Sequence, residues 1–128
     1  MAKNSMSGHL GIEFTRSGED WLEATMPVNE KTKQPMGLLH GGANVVLAEE
    51  LGSIASYLCL EDISEQSVVG IELSSSHIRS ATSGNVTGRV TPIKIGRRTH
   101  IWNIEIRNEE NKLVNVTRLT TMVIQKKK

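Results

Sequence analysis

The chain has 128 residues, about the size of one domain, and 15 Lys+Arg against 14 Asp+Glu leave it at +1. Without the terminal Lys126, Lys127 and Lys128 the balance is −2, which excludes a basic nucleic-acid-binding face, and four aromatics (Phe14, Trp21, Tyr57, Trp102) leave little to stack on bases. One cysteine, Cys59, rules out an internal disulfide and a cysteine metal cluster; with a polar start and no run near the about 18–20 apolar residues of a membrane span, the composition predicts one cytoplasmic domain over 1–128 with no membrane contact.

Residues 1–10 have no periodicity and are expected to be loosely ordered, as is the end, 126–128. Residues 9–14 fit either a helical turn or a short strand. From Trp21 to Val28 the chain alternates, Leu22, Ala24, Met26 and Val28 on one side and Glu23 and Thr25 on the other, which predicts a half-buried strand. A polar connection, 30–37, follows.

His40 to Leu60 carries helical spacing: Leu47, Leu51, Ile54, Ala55 and Leu58 form a stripe flanked by Ala48 and Cys59. Gly41 and Gly42 stand at its entrance, and Glu61-Asp62 close it. The opposite face holds Val45, Val46, Gly52, Ser53 and Ser56, and only Glu49 and Glu50 are charged over 21 residues. Such a helix is expected to be covered on both faces, one by a sheet and the other by something like a second subunit.

Stiff β-branched side chains crowd the remainder: Val, Ile and Thr number 9 in residues 1–67 and 22 in 68–128. Strands are expected over 67–79, 85–93, 99–107 and 113–125, separated by a turn at 80–84, a connection at 94–98 and a hairpin turn at 108–111. One strand, one long helix and four strands joined by short turns predict an α+β fold, an antiparallel sheet wrapped around a central helix.

The entrance of that helix is chemically suggestive. Backbone N–H groups of a first helical turn lack internal partners and lie at the positive end of the dipole, and glycines let a ligand approach them. A carbonyl oxygen turning negative during acyl transfer suits such a site. Glu49 lies about two turns further on, with Ser53 one turn beyond on the same side, and a carboxylate in a dry cleft serves as general base or nucleophile. The same residues also fit a plainer reading, glycines for close packing and a solvated Glu49. His9, His40, His77 and His100 have no metal-ligand spacing, Cys59 fits a core position, and Trp102 fits either core or interface.

Gln34-Pro35-Met36-Gly37-Leu38-Leu39-His40-Gly41-Gly42-Ala43, continuing through Val45 to Glu49 and Gly52-Ser53, resembles the hotdog-fold acyl-CoA thioesterases. The likeness is to their phenylacetate-pathway-like branch, which includes the 1,4-dihydroxy-2-naphthoyl-CoA hydrolases and enterobactin proofreading thioesterases. It extends through 69–72, 77–80 and 117–121 and covers 21–124. The resemblance implies Glu49 as the catalytic carboxylate and the Gly41 amide as the group polarising the thioester carbonyl. It further implies Gln34 and His40 as placing the thioester and Ser53 as holding water or acyl group. For coenzyme A it implies Gly70, His77, Ile78, Arg79 and Ser80, together with Lys94, Ile95, Gly96, Arg97, Arg98 and Thr99. Arg79, Lys94, Arg97 and Arg98 are cations suited to phosphates. Glu50 stands where a small residue is common in the branch, Asn44 where serine is typical, and the 61–67 loop is slightly longer.

The implied reaction is hydrolysis of an acyl-CoA, favouring an aromatic acyl group such as 1,4-dihydroxy-2-naphthoyl or benzoyl, with a place in menaquinone biosynthesis. It implies a homo-oligomer, a dimer sharing its sites within a tetramer, with neither metal nor cofactor beyond the coenzyme A of the substrate. Two rivals stand beside it. One is hydration or dehydration of a 3-hydroxyacyl thioester by His40 and Glu49; the other is an acyl-CoA-binding module without activity, against which the retained Glu49 counts.

Overall fold

In a computed structural model, which describes residues 4–126, the long helix α2 runs from Gly41 to Leu58. His40 is its N-cap: the residue is extended, and its Nδ1 accepts the Gly42 N–H at 2.8 Å. Six strands surround it, β1 (Glu13–Ser17), β2 (Leu22–Pro27), β3 (Gln66–His77), β4 (Asn85–Ile95), β5 (Thr99–Arg107) and β6 (Leu113–Gln125). They form one sheet in the order β1-β2-β4-β5-β6-β3, with every neighbouring pair antiparallel. The expected α+β architecture, a sheet wrapped around one helix, is the observed one.

Alternation explains the wrap. β5 buries His100, Trp102, Ile104 and Ile106, and β6 buries Asn115, Thr117, Leu119 and Thr121, while the residues between them are at least partly exposed, apart from the buried Val114. The apolar ones, Trp102, Ile104, Ile106 and Leu119, share one core with Leu47, Ala48, Leu51 and Ala55 of α2 that also takes in Ala24, Met26, Val86 and Val90. Of the two places open to Trp102, core or interface, it takes the core. Its indole N–H donates to Ser56 Oγ at 2.6 Å, and Ser56 Oγ also meets His100 Nδ1 at 2.9 Å and Thr121 Oγ1 at 2.5 Å. This ties the C-terminal half of α2 to β5 and β6.

Four expectations need correction. A sixth strand, β1, joins the five expected, at the sheet edge, taking up Glu13 and Phe14 from the segment that fits either a helical turn or a strand; only Phe14 among its residues is better than exposed, so no alternation announces it. Residues 4–10 are ordered: Met6–His9 form a short helix, α1, capped by Ser5, and buried Ser7 donates to Glu50 Oε1 at 2.5 Å. Glu50 thereby anchors the N-terminal segment, while residues 1–3 and 127–128 lie outside the described range. At the other end Lys126 is held too, its backbone N–H donating to the Glu65 carbonyl at 2.8 Å. Lys94 and Ile95 belong to β4 rather than to a connection, β4 passing a bulge between Pro92 and Lys94.

The fourth correction concerns the helix stripe. Its buried residues are Ala43, Asn44, Leu47, Ala48, Leu51, Gly52, Ala55 and Ser56, so Gly52 and Ser56 face the sheet, Ile54 is half-buried and Leu58 is exposed. Small residues sit where the sheet comes closest: a Cβ on Gly52 would run into the Leu119 side chain. Val45, Val46, Glu49, Ser53 and Tyr57 lie outside this stripe, none of them fully buried.

Candidate active site

The N-terminal end of α2 gathers hydrogen-bond donors. Gly42 N–H is spent on His40 Nδ1, and Ala43 and Asn44 N–H both reach the His40 carbonyl. Gly41 N–H has no acceptor among the described residues, so it is the free donor of the first turn. His77, the last residue of β3, stands against it: a Cβ built on Gly41 would lie 2.7 Å from His77 Nε2. Because His40 Nδ1 accepts a backbone N–H, its neutral ring carries the proton on Nε2 and offers a donor rather than a base.

Gln34 organises the loop that delivers this end of the helix. Its Oε1 accepts the N–H of Met36 at 2.6 Å and of Leu38 at 3.2 Å, and the carbonyl of Thr32 accepts His40 N–H. With its carbonyl oxygen engaged, the Gln34 amide nitrogen is the side-chain group left to a ligand.

Glu49 lies on the exposed side of α2, without a hydrogen bond or ion pair among the described residues. Its carboxylate leans over β3: a Cβ on Gly70 would lie 2.9 Å from Glu49 Oε2. The missing side chain of Gly70 thus makes room for the acid. The Glu49 carboxylate does not stand beside Gly41. The two are eight residues apart on α2, about 12 Å of axial rise, and the carboxylate borders Gly70 while Gly41 borders His77, seven residues along β3. Ser53 is half-buried one turn beyond Glu49.

Apart from Gly70, which borders Glu49, the expected coenzyme A residues fall into two groups. His77, Ile78, Arg79 and Ser80 are at the N-terminal end of α2, where Arg79 Nη1 donates to the Leu113 carbonyl at 3.1 Å. Lys94, Ile95, Gly96, Arg97, Arg98 and Thr99 span the β4–β5 turn, which closes through Gly96 N–H to the Thr99 carbonyl at 2.9 Å. That turn lines a groove of about 1000 Å³ with Cys59, Leu60, Glu61 and Gln66, at the opposite, C-terminal end of α2. Lys94, Arg97 and Arg98 are exposed and make no ion pair among the described residues. A single chain therefore holds the two groups at opposite ends of an 18-residue helix, about 27 Å long.

Behind His77 lies a polar network that the sequence reading missed. Asn115, wholly buried on β6 and directly opposite His77 in register, donates from Nδ2 to His77 Nδ1 at 3.0 Å and to Ser75 Oγ at 2.9 Å. Its Oδ1 accepts from Thr117 Oγ1 at 2.7 Å, and Ser75 Oγ and Thr117 Oγ1 are 2.9 Å apart. The signal was present: Asn115, Thr117 and Thr121 are polar residues at the core-facing positions of an alternating strand.

Other groups are structural. Burial raises the Cys59 thiol above its ordinary range, which keeps it protonated and unreactive. Asn44 is buried on the sheet side of α2, and its Oδ1 meets no donor among the described residues. Also among them, no three His, Cys, Asp or Glu side chains gather as metal ligands, and no helix is long and apolar enough to cross a membrane.

Burial holds His100 below its ordinary pKa of 6.5, against a smaller opposing pull from the Gly96 carbonyl. The unfolded chain then takes up a proton that the native state refuses. Stability from this group is whole above about pH 6.5 and is lost as pH falls from there through the lower native value. Melting temperature is expected to drop between pH 7.5 and 5, and less steeply in His100→Gln; equal slopes would contradict the assignment.

Comparison with known proteins adds a family. The Thioesterase superfamily model matches residues 36–115. The 1,4-dihydroxy-2-naphthoyl-CoA hydrolase of Escherichia coli is 52% identical over 97% of this chain and 90% of its own. A thioesterase of Haemophilus influenzae, solved as a crystal structure, is 54% identical over 95% of this chain and 84% of its own, with a TM-score of 0.91. A Staphylococcus aureus thioesterase, 32% identical over 95% of this chain and all of its own at a TM-score of 0.92, was crystallised as a glutamate-to-alanine variant and, separately, as a glutamine-to-alanine variant. With likenesses that span nearly its whole length, the chain belongs to the thioesterase superfamily, as a hotdog-fold thioester hydrolase.

Proposed function

We propose that the protein hydrolyses an acyl-CoA with an aromatic acyl group, of the 1,4-dihydroxy-2-naphthoyl or benzoyl kind, at a site completed by a second copy of the chain. The observation that carries the chemistry is the unpaired Gly41 N–H at the start of α2, next in chain to His40 and with the His77 ring against it. A thioester carbonyl seated there is polarised as its oxygen becomes negative. As nucleophile, Glu49 attacks the carbonyl carbon, the C–S bond breaks to give an anhydride, and a water then cleaves the anhydride to free the acid and restore Glu49. As general base, it takes a proton from a water that attacks the carbonyl carbon directly, the C–S bond then breaking to free the acid. In both, coenzyme A leaves as a thiolate and gains a proton. No metal or cofactor is required, coenzyme A entering only as part of the substrate.

Division between chains follows from the separation within one. A two-fold partner whose α2 runs antiparallel brings the Glu49 of one copy towards the Gly41 of the other, and the cationic β4–β5 turn towards Arg79. The sparsely charged face of α2 is then the contact. The Staphylococcus aureus variants support the pairing of roles, because the replaced glutamine and glutamate are separated by the same number of residues as Gln34 and Glu49. The aromatic preference is supported by the name of the Escherichia coli relative. The hydratase alternative loses its base, since His40 Nδ1 is engaged with Gly42.

Thiol release from a panel of aromatic and aliphatic acyl-CoAs tests the substrate class: aromatic members should lead in kcat/KM by about tenfold or more, a gap of roughly 1.4 kcal/mol. A faster aliphatic series would overturn the preference. For the shared site, inactive Glu49→Ala and Gln34→Ala proteins should recover roughly a quarter of wild-type activity once their subunits exchange, because one of the two sites in each mixed dimer is intact. No recovery after demonstrated exchange would place the whole site in one chain.

A further inference from the structure

We propose that Asn115 is a positioning residue of this site: it fixes His77 as the tautomer protonated on Nε2 and so aims an N–H at the start of α2 beside the Gly41 amide. The inference rests on the placement of the thioester at Gly41. It follows from accounting for each hydrogen in the network. The Thr117 hydroxyl hydrogen is spent on Asn115 Oδ1, so the 2.9 Å contact between Ser75 and Thr117 is filled by the Ser75 hydrogen. Ser75 Oγ then accepts one Asn115 hydrogen, and the other goes to His77 Nδ1. The ring closes with each donor matched to an acceptor, and a proton on His77 Nδ1 would face an N–H. Asn115 is 0% exposed, so water does not substitute for it.

Two histidines flank Gly41 and both are set the same way. A backbone N–H holds His40 Nδ1, a side-chain amide holds His77 Nδ1, and each ring is left with a donor on Nε2. A Cβ built on Gly41 would sit 2.7 Å from His77 Nε2, so that nitrogen stands beside the residue whose N–H is proposed to meet the carbonyl. A pocket of donors alone stabilises a developing oxyanion; one bare nitrogen facing it would repel it.

Long-range proton–nitrogen correlation spectra of the ligand-free, 15N-labelled protein read the tautomer without substrate. His77 should give a fully unprotonated Nδ1 and a protonated Nε2 at neutral pH. Asn115→Asp, equal in shape, should move the proton to Nδ1 and lower kcat on the best acyl-CoA of the panel by about ten- to a hundredfold with little change in KM. A melting curve checks its fold. In a His77→Gln background, whose amide supplies an N–H that needs no tautomer, Asn115→Asp should cost less than about threefold.

A wild-type His77 protonated on Nδ1, the state that the reversed Asn115 amide would impose, overturns the proposal. An equal loss of kcat in both backgrounds also overturns it, because Asn115 would then act through the fold. A locked tautomer with unchanged turnover in Asn115→Asp removes His77 from the carbonyl while leaving the role of Glu49 untouched.

Discussion

Glu49→Ala should lower acyl-CoA hydrolysis by about a hundredfold or more, the scale of a lost acid–base or nucleophilic group. On the proposed mechanism the loss should be in kcat, because the carboxylate would act on the reacting carbon while other residues would hold coenzyme A. Glu49→Gln keeps the volume and removes the negative oxygen; it should be impaired to a similar degree. Neither change should disturb the fold. The side chain is exposed in a single chain and makes no hydrogen bond or ion pair among the described residues, so stability should stay within about 0.5 kcal/mol of wild type. Thiol-release kinetics beside a thermal melt make the check, and an unchanged rate in either variant would strip Glu49 of its role.

Leu51→Ala should instead cost about 2–5 kcal/mol of stability. Leu51 is wholly buried at the middle of α2, and its Cδ1 fills the space that Gly88 of β4 leaves open: a Cβ on Gly88 would lie 2.6 Å from it. That geometry makes a second, sharper prediction. Gly88→Ala alone should destabilise, because its methyl meets Leu51 with Leu47 and Ile106 each 3.5 Å away. In the Leu51→Ala background the same methyl enters the vacated volume. The double variant should therefore be more stable than the sum of the two single losses predicts, by about 1 kcal/mol or more in denaturant titrations. Additive losses would mean that the two side chains do not share that space.

Much of the fold was written in local patterns. β5 and β6 begin and end where alternation places them, at 99–107 and 113–125, because each has one wet and one dry face. β1 escaped because it is an edge strand with almost every residue exposed, and α1 because its anchor, Ser7 on Glu50, joins positions 43 residues apart. The helix stripe was drawn too far round: the sheet curves over a broad arc of α2, and small residues, Gly52 and Ser56, mark its closest approach where periodicity looks for large ones. At the site, Gln34, His40, Gly41 and Glu49 were legible as a motif. The lean of Glu49 onto Gly70 was not, since a strand residue far along the chain decides it. Inward-facing Asn115 and Thr117 signalled buried polar contacts, but not the pairing of Asn115 with His77 and Ser75, 38 and 40 residues away on another strand.

The strand order carries a kinetic consequence. β3 leaves the helix as the third strand made, yet its ladder partner is β6, the last, with Gln66 opposite Gln125 and His77 opposite Asn115. During synthesis, β3 has no ladder to join until nearly the entire polypeptide has emerged, while β4 and β5 can zip up beside β2. Closure of that long loop is a late, entropically costly event. The strand carrying both Gly70 and His77 is thus among the last pieces to be secured, and a nascent chain stalled before β6 exposes it as a bare edge open to wrong pairing.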